Sequence, residues 1–329
     1  MERNVFVDKL KGYACFLVLF GHVIMGIRVA GIDIPNFFFG LERFIWSFHV
    51  ALFMFLSGNV YRMTGEWRGK KTKLGFIKHI LVGLGIPYVT FSGIYILINA
   101  FVGQVNTQLS FKDFLLIWKT PVVQYWFLYA LFFLFCIWTI LSGLLKNWLI
   151  TLLVVATGYI LSALGISLGD FDIVFQSALA FGLGSCLDVS ALTKIPTAGK
   201  IAVLLAHVLT GTALVYFNMV ELAFVKEAMV LFGIYSSIIF ISLIGEIKAV
   251  NRFLTFMNKY SFQTYLLHTI FTAGARIVML RLGVAHWWLH ILVGTLFGIA
   301  FSVLAAEIAK KFKFLNFFFF PTKYCRQRL

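Results

Sequence analysis

Residues 11–29 read KGYACFLVLFGHVIMGIRV. Lys11 and Arg28 bracket a run that carries no formal charge between them, and its single imidazole, His22, falls near the middle. At 1.5 Å per residue, about 20 such residues cross a hydrocarbon core roughly 30 Å thick, so this stretch reads as a membrane-spanning helix. It lacks the small-residue cleavage site of a signal peptide, and a second apolar run follows it closely, so it is expected to be retained.

Working outward, runs of the same kind recur near 43–62, 76–101, 122–143, 148–166, 172–189, 200–218, 225–245, 260–281 and 286–308. The expected fold is an all-α integral membrane protein, a polytopic bundle of about ten transmembrane helices forming one domain over residues 1–329. Composition agrees: 61% of the residues are hydrophobic and 12% charged, where a soluble domain carries about 25% charged. That little polar surface cannot cover a water-soluble globule.

Orientation follows from the cations. If the N-terminus is cytoplasmic, 21 of the 28 lysines and arginines fall in inner segments. The positive-inside rule therefore predicts that both ends of the chain are cytoplasmic. The net charge of +15 is scattered in short patches between apolar runs, which fits contacts with anionic lipid and not with nucleic acid. Cys15, Cys136, Cys186 and Cys325 show no CxxC spacing, so neither a disulfide framework nor a zinc site is expected. Trp67, Trp118, Trp126, Trp148, Trp287 and Trp288 sit near span ends, as interfacial anchors do.

Polar groups inside hydrocarbon point to function. No carboxylate is expected at mid-depth; Asp33, Glu42, Asp170, Asp172, Glu221 and Glu227 fall in outer connections, and Asp8, Glu66, Asp188, Glu246 and Glu307 near inner ends. Histidines do reach that depth. Counting from Lys11, His22 lies roughly 16 Å from the inner surface, and counting from Lys259, His268 lies roughly 13 Å from it. His49 runs the other way, roughly 9 Å from the outer surface past Arg43. Three imidazoles on three helices thus share a depth, and a neutral imidazole is suited to taking a proton from a hydroxyl. The plainer reading is that each one bonds a neighbouring helix, and for His207 that reading is preferred. His286 and His290, beside two tryptophans, read as interfacial. No pair of histidines four residues apart lies at depth, so no metal is expected.

Several local strings carry a resemblance. Asp8-Lys9-Leu10-Lys11-Gly12 leads to Gly21-His22; Phe48-His49 runs on to Leu56-Ser57-Gly58; Phe76-Ile77-Lys78-His79 precedes Pro87-Tyr88. Tyr125-Trp126-Phe127-Leu128-Tyr129 and Tyr260-Ser261 with Tyr265-Leu266-Leu267-His268 follow in order. Together they resemble the acyltransferase-3 family of bacterial membrane acyltransferases, which O-acylate cell-surface sugars. Where that family usually has arginine, this chain has Lys11, which keeps the charge without the guanidinium fork.

The resemblance implies a multi-pass protein of the bacterial cytoplasmic membrane. It implies transfer of an acyl group, commonly acetyl from acetyl-CoA, to a hydroxyl of a cell-surface or lipid-linked saccharide. His22 takes the catalytic position in that picture, as general base or through an acyl-imidazole, with His49 and Lys11 beside it. The densest cationic stretch, Arg62, Arg68, Lys70, Lys71, Lys73 and Lys78, is expected to hold the phosphates of the coenzyme. Tyr125, Trp126, Asn59 and His268 are expected to orient donor or acceptor. A polytopic carrier or exporter of a glycan or lipid-linked substrate is the alternative; the missing deep carboxylates and the lack of a visible internal repeat weigh against it.

Overall fold

The computed structural model describes residues 4–64, 72–102, 109–145 and 148–325. Among them there is no strand. In chain order the helices are α1 (Val5–Val29), α2 (Asn36–Trp46), α3 (His49–Thr64), α4 (Lys73–Ile80), α5 (Ile86–Val102), α6 (Phe111–Leu115), α7 (Trp126–Ile140) and α8 (Trp148–Ala163). They continue with α9 (Asp172–Cys186), α10 (Thr197–Tyr216), α11 (Ala223–Ile244), α12 (Lys248–Lys259), α13 (Ser261–Arg281), α14 (Trp287–Lys311), α15 (Lys313–Phe319) and α16 (Thr322–Cys325). A π-helical turn, Leu81–Gly85, joins α4 to α5.

Among the described residues, seven helical segments are long and apolar enough to cross a membrane: Val5–Val29, Asn36–Met63, Lys73–Phe101, Val123–Ile140, Thr197–Tyr216, Phe224–Ile244 and Trp287–Lys311. The other three stretches expected to span coincide with α8, α9 and α13. α8 and α9 are short, at 16 and 15 residues. α13 is long enough at 21 residues, but Gln263, Thr264, His268 and Thr272 lie along its buried side and lower its hydropathy. The stretch after α11, expected as an inner connection, folds as the helix α12. Its buried Leu254 and Met257 lie on one face of a segment that also carries Lys248, Arg252 and Lys259 and is too short to register as a span.

The chain divides into two compact units. The first comprises residues 1–56 and 187–307, and α1 is its centre. α1 packs against α12, α13, α2 and α11, and α10 packs on both α2 and α11. Glycine makes the closest approach possible: a Cβ at Gly12 would collide with the backbone carbonyl of Leu254 on α12. Leu19, Val23, Ile24 and Ile27 of α1 form one apolar core with Ile32 and Ile34, flanked by Phe38, Trp287 and Ile291.

α1 ends where Gly31 takes φ +70°, with Gly31 N–H donating to Arg28 O and Ile32 N–H to Ile27 O. This pair of bonds is a Schellman cap. The buried Ile32 and Ile34 then turn the chain, and Pro35 precedes α2, which runs back along α1. The second unit comprises residues 57–186 and 308–329. In it α9 packs against α7 and α8, α4 against α7, and α15 against α5. Gly58 of α3 lies against the backbone of Phe181 on α9, where any side chain would collide.

Candidate active site

The second expected span is not one continuous helix. α2 stops at Trp46, Ser47 and Phe48 form a turn, and α3 starts at His49. Ser47 Oγ donates to Phe44 O at 2.7 Å, which satisfies a carbonyl at the interruption. The break falls among Trp46, His49 and the α1 surface beside His22.

His22, His49 and His268 come together in the first unit. The His22 and His268 rings meet edge-on with centroids 4.9 Å apart. The Trp46 indole lies 5.3 Å from the His22 ring and 5.2 Å from the His49 ring, and so bridges them. Gly21 leaves α1 without a side chain under that indole. His49 and His268 are each 1% exposed.

Each ring is held the same way. His22 Nδ1 lies 2.8 Å from Val18 O, His49 Nδ1 2.9 Å from Ile45 O, and His268 Nδ1 2.8 Å from Thr264 O. A carbonyl oxygen only accepts, so in each neutral ring Nδ1 carries the proton and Nε2 keeps its lone pair. The Nε2 atoms of His49 and His268 are buried with no hydrogen-bond partner among the described residues. No group of three or more His, Cys, Asp or Glu among the described residues is placed to hold a metal ion.

Two further features frame the cluster that the sequence did not single out. Arg28 grips Glu42 with two bonds, Nε to Oε2 at 2.9 Å and Nη2 to Oε1 at 2.7 Å. Glu42, expected in an outer connection, is 6% exposed on α2, one turn before Trp46. Arg276 of α13 lays its guanidinium against Gly26, one turn beyond His22 on α1. A cavity of about 400 Å³ opens beside them, lined by Glu42, Arg43, Trp46, Ser47, Glu221 and Lys226 among others.

The remaining expected residues are placed as follows. Lys11 is half-buried on α1. Asn59, Arg62, Lys73, Lys78, Tyr125 and Trp126 belong to the second unit. Asn59 is buried on α3 and donates to Gly184 O at 3.4 Å. Arg62 and Lys78 are exposed, and Lys73 Nζ donates to Ile140 O at 2.8 Å. Tyr125 is fully buried and Trp126 opens α7. Arg68, Lys70 and Lys71 lie outside the described residues. His207 is buried among Phe44, Phe48 and Phe232, and His290 is buried with Nε2 2.9 Å from Val284 O.

No curated protein and no solved structure matches this chain. A family model described as an acyltransferase domain matches residues 4–307 of the 329, a stretch that takes in every helix of the histidine cluster. The chain belongs to the acyltransferase-3 family.

Proposed function

We propose that this membrane acyltransferase moves an acyl group, acetyl in the simplest case, from cytosolic acyl-CoA to a hydroxyl of a cell-surface or lipid-linked saccharide. The setting is the bacterial cytoplasmic membrane, crossed about ten times, with both chain ends inside. The observation that carries the reading is the imidazole cluster, in which each Nδ1 is tied to the backbone carbonyl four residues earlier and Nε2 is left as a base. His22, less enclosed than the other two, takes the proton of the acceptor hydroxyl. The oxygen attacks the thioester carbonyl, the new C–O bond forms as the C–S bond breaks, and the proton passes to the departing thiolate. His268 and Trp46, packed on the His22 ring, hold its direction. His49 steadies Trp46 from the other helix. Lys11 is a further positive charge on α1. Arg62, Arg68, Lys70, Lys71, Lys73 and Lys78 supply cations for the coenzyme's phosphates. Tyr125, Trp126 and Asn59 shape the donor or acceptor path.

Radiolabelled acetyl-CoA supplied to membranes containing the protein tests this. Label should enter glycan, and His22→Ala should lower the rate by about 10²–10⁴-fold. Undiminished labelling in that variant would remove His22 from the chemistry. Arg62→Ala and Lys78→Ala should raise KM for the donor with kcat little changed; an unchanged KM would leave those cations a topological role only.

A further inference from the structure

A second cleft lies along α2 on the side of α10, with a volume of about 540 Å³. That falls within the range of about 300–1,000 Å³ typical of ligand pockets. Its walls are apolar: Phe37, Phe39, Leu41 and Phe44 on α2 face Val208 and Val215 on α10. Phe37, Val208 and Tyr216 are 70%, 52% and 82% exposed, so in a membrane-crossing helix pair the cleft opens to lipid. Arg43 lines both this cleft and the polar cavity over Trp46.

The charges around the polar cavity do not balance. Glu42 is taken by Arg28. Arg43 reaches Asn218 Oδ1 at 2.6 Å, a neutral partner, and neither Arg43 nor Lys226 has a carboxylate within ion-pair distance among the described residues. Two cations and one remaining carboxylate, Glu221, therefore line the cavity, and Arg43 among them also lines the apolar cleft. An apolar channel, a cationic joint and a charge-lined cavity bordered by Trp46 match one molecule: a hydrocarbon chain, an anionic linkage and a hydroxyl-rich head.

We propose that cleft and cavity together bind the acceptor as a phosphate-linked lipid. Its chain lies between α2 and α10, its phosphate rests on Arg43 and Lys226, and its sugar lies on Trp46 beside the histidines. This rests on the acyl-transfer reading and adds the form in which the acceptor arrives, sideways from the bilayer and not from water.

The test is equilibrium binding of a fluorescent isoprenyl phosphate to the purified full-length protein in nanodiscs. The competitors are the matching isoprenol, which has no phosphate, and hexose 1-phosphate, which has no chain. A Cβ at Gly40 meets only Val215 Cγ1, at 3.8 Å, so Gly40→Phe fills the cleft without striking backbone. Gly40→Phe, Arg43→Gln and Lys226→Gln should each weaken binding by about tenfold or more, with unchanged thermal unfolding midpoints for Gly40→Phe and Lys226→Gln, and both competitors should be weaker than the intact amphiphile by a similar factor. Unaltered binding in Gly40→Phe and Lys226→Gln, or hexose 1-phosphate competing as well as the whole amphiphile, would overturn the proposal. His22→Ala should bind the probe like the parent. Such binding without acyl transfer in any sample would support this site and sink the proposed chemistry. Acylation of a soluble saccharide at full rate in Gly40→Phe would sink the site and leave the chemistry standing.

Discussion

A single pair of residues shows how asymmetric burial turns into asymmetric cost. Glu42 is buried, whereas the Arg28 side chain is 44% exposed. Arg28→Ala leaves a buried carboxylate without its bidentate partner and should destabilise the protein by about 3 kcal/mol; Glu42→Gln leaves Arg28 within reach of water and should cost about 1 kcal/mol. Thermal unfolding in detergent ranks the two, and equal losses would deny that Glu42 depends on its partner. The histidines give a second expectation: nitrogen NMR of imidazole-labelled protein should show His22, His49 and His268 protonated on Nδ1. Their common depth was readable in the sequence because helical rise is fixed, so counting from a charged end places an imidazole to within a turn. Trp46 and Glu42 were not read. A second span beginning at residue 43 leaves Glu42 in a loop and Trp46 at an edge. Their spacing, with Glu42 four before Trp46 and Trp46 three before His49, was the available sign of a shared face.

At the scale of elements, two helix ends do comparable work. Gly31 closes α1, and Asn218, at φ 57°, closes α10 with Asn218 N–H on Val215 O and Met219 N–H on Leu214 O. Asn tolerates this left-handed conformation and also offers Oδ1 to Arg43, so one residue both caps α10 and tethers α2. Asn218→Gly should keep the cap and lose only the tether, whereas Asn218→Val should lose about 1–2 kcal/mol through backbone strain. Similar unfolding midpoints for the two would refute the cap. The π turn at Leu81–Gly85 and the break at Ser47–Phe48 were illegible in advance, since an apolar run looks alike whether its helix is regular or interrupted. α12 was missed for a different reason. Its apolar residues form one face of a 12-residue helix, and that face disappears in an average over the length of a span.

For the whole molecule, the all-helical membrane character followed from the length of the apolar runs together with composition, while the number of crossings did not. Length and hydropathy pick out seven segments, and the three in question are either short or lined with polar side chains. Orientation can be checked directly. In a background without native cysteines, Lys112→Cys should react with an impermeant maleimide added to intact cells, and Lys248→Cys should react only after the membrane is opened. The reverse pattern would invert the molecule and put the cavity over Trp46 on the other side.

α13 also bears on how the protein is made. A helix carrying Gln263, Thr264, His268, Thr272, Arg276 and Arg281 gains little by leaving the translocon for lipid by itself. Its polar side is covered by α1, synthesised far earlier in the chain. α1 must then stay close to the exit of the insertion machinery until α13 emerges. His268 is consequently the last of the three imidazoles to be set in place, and a nascent chain halted before α13 has no complete cluster.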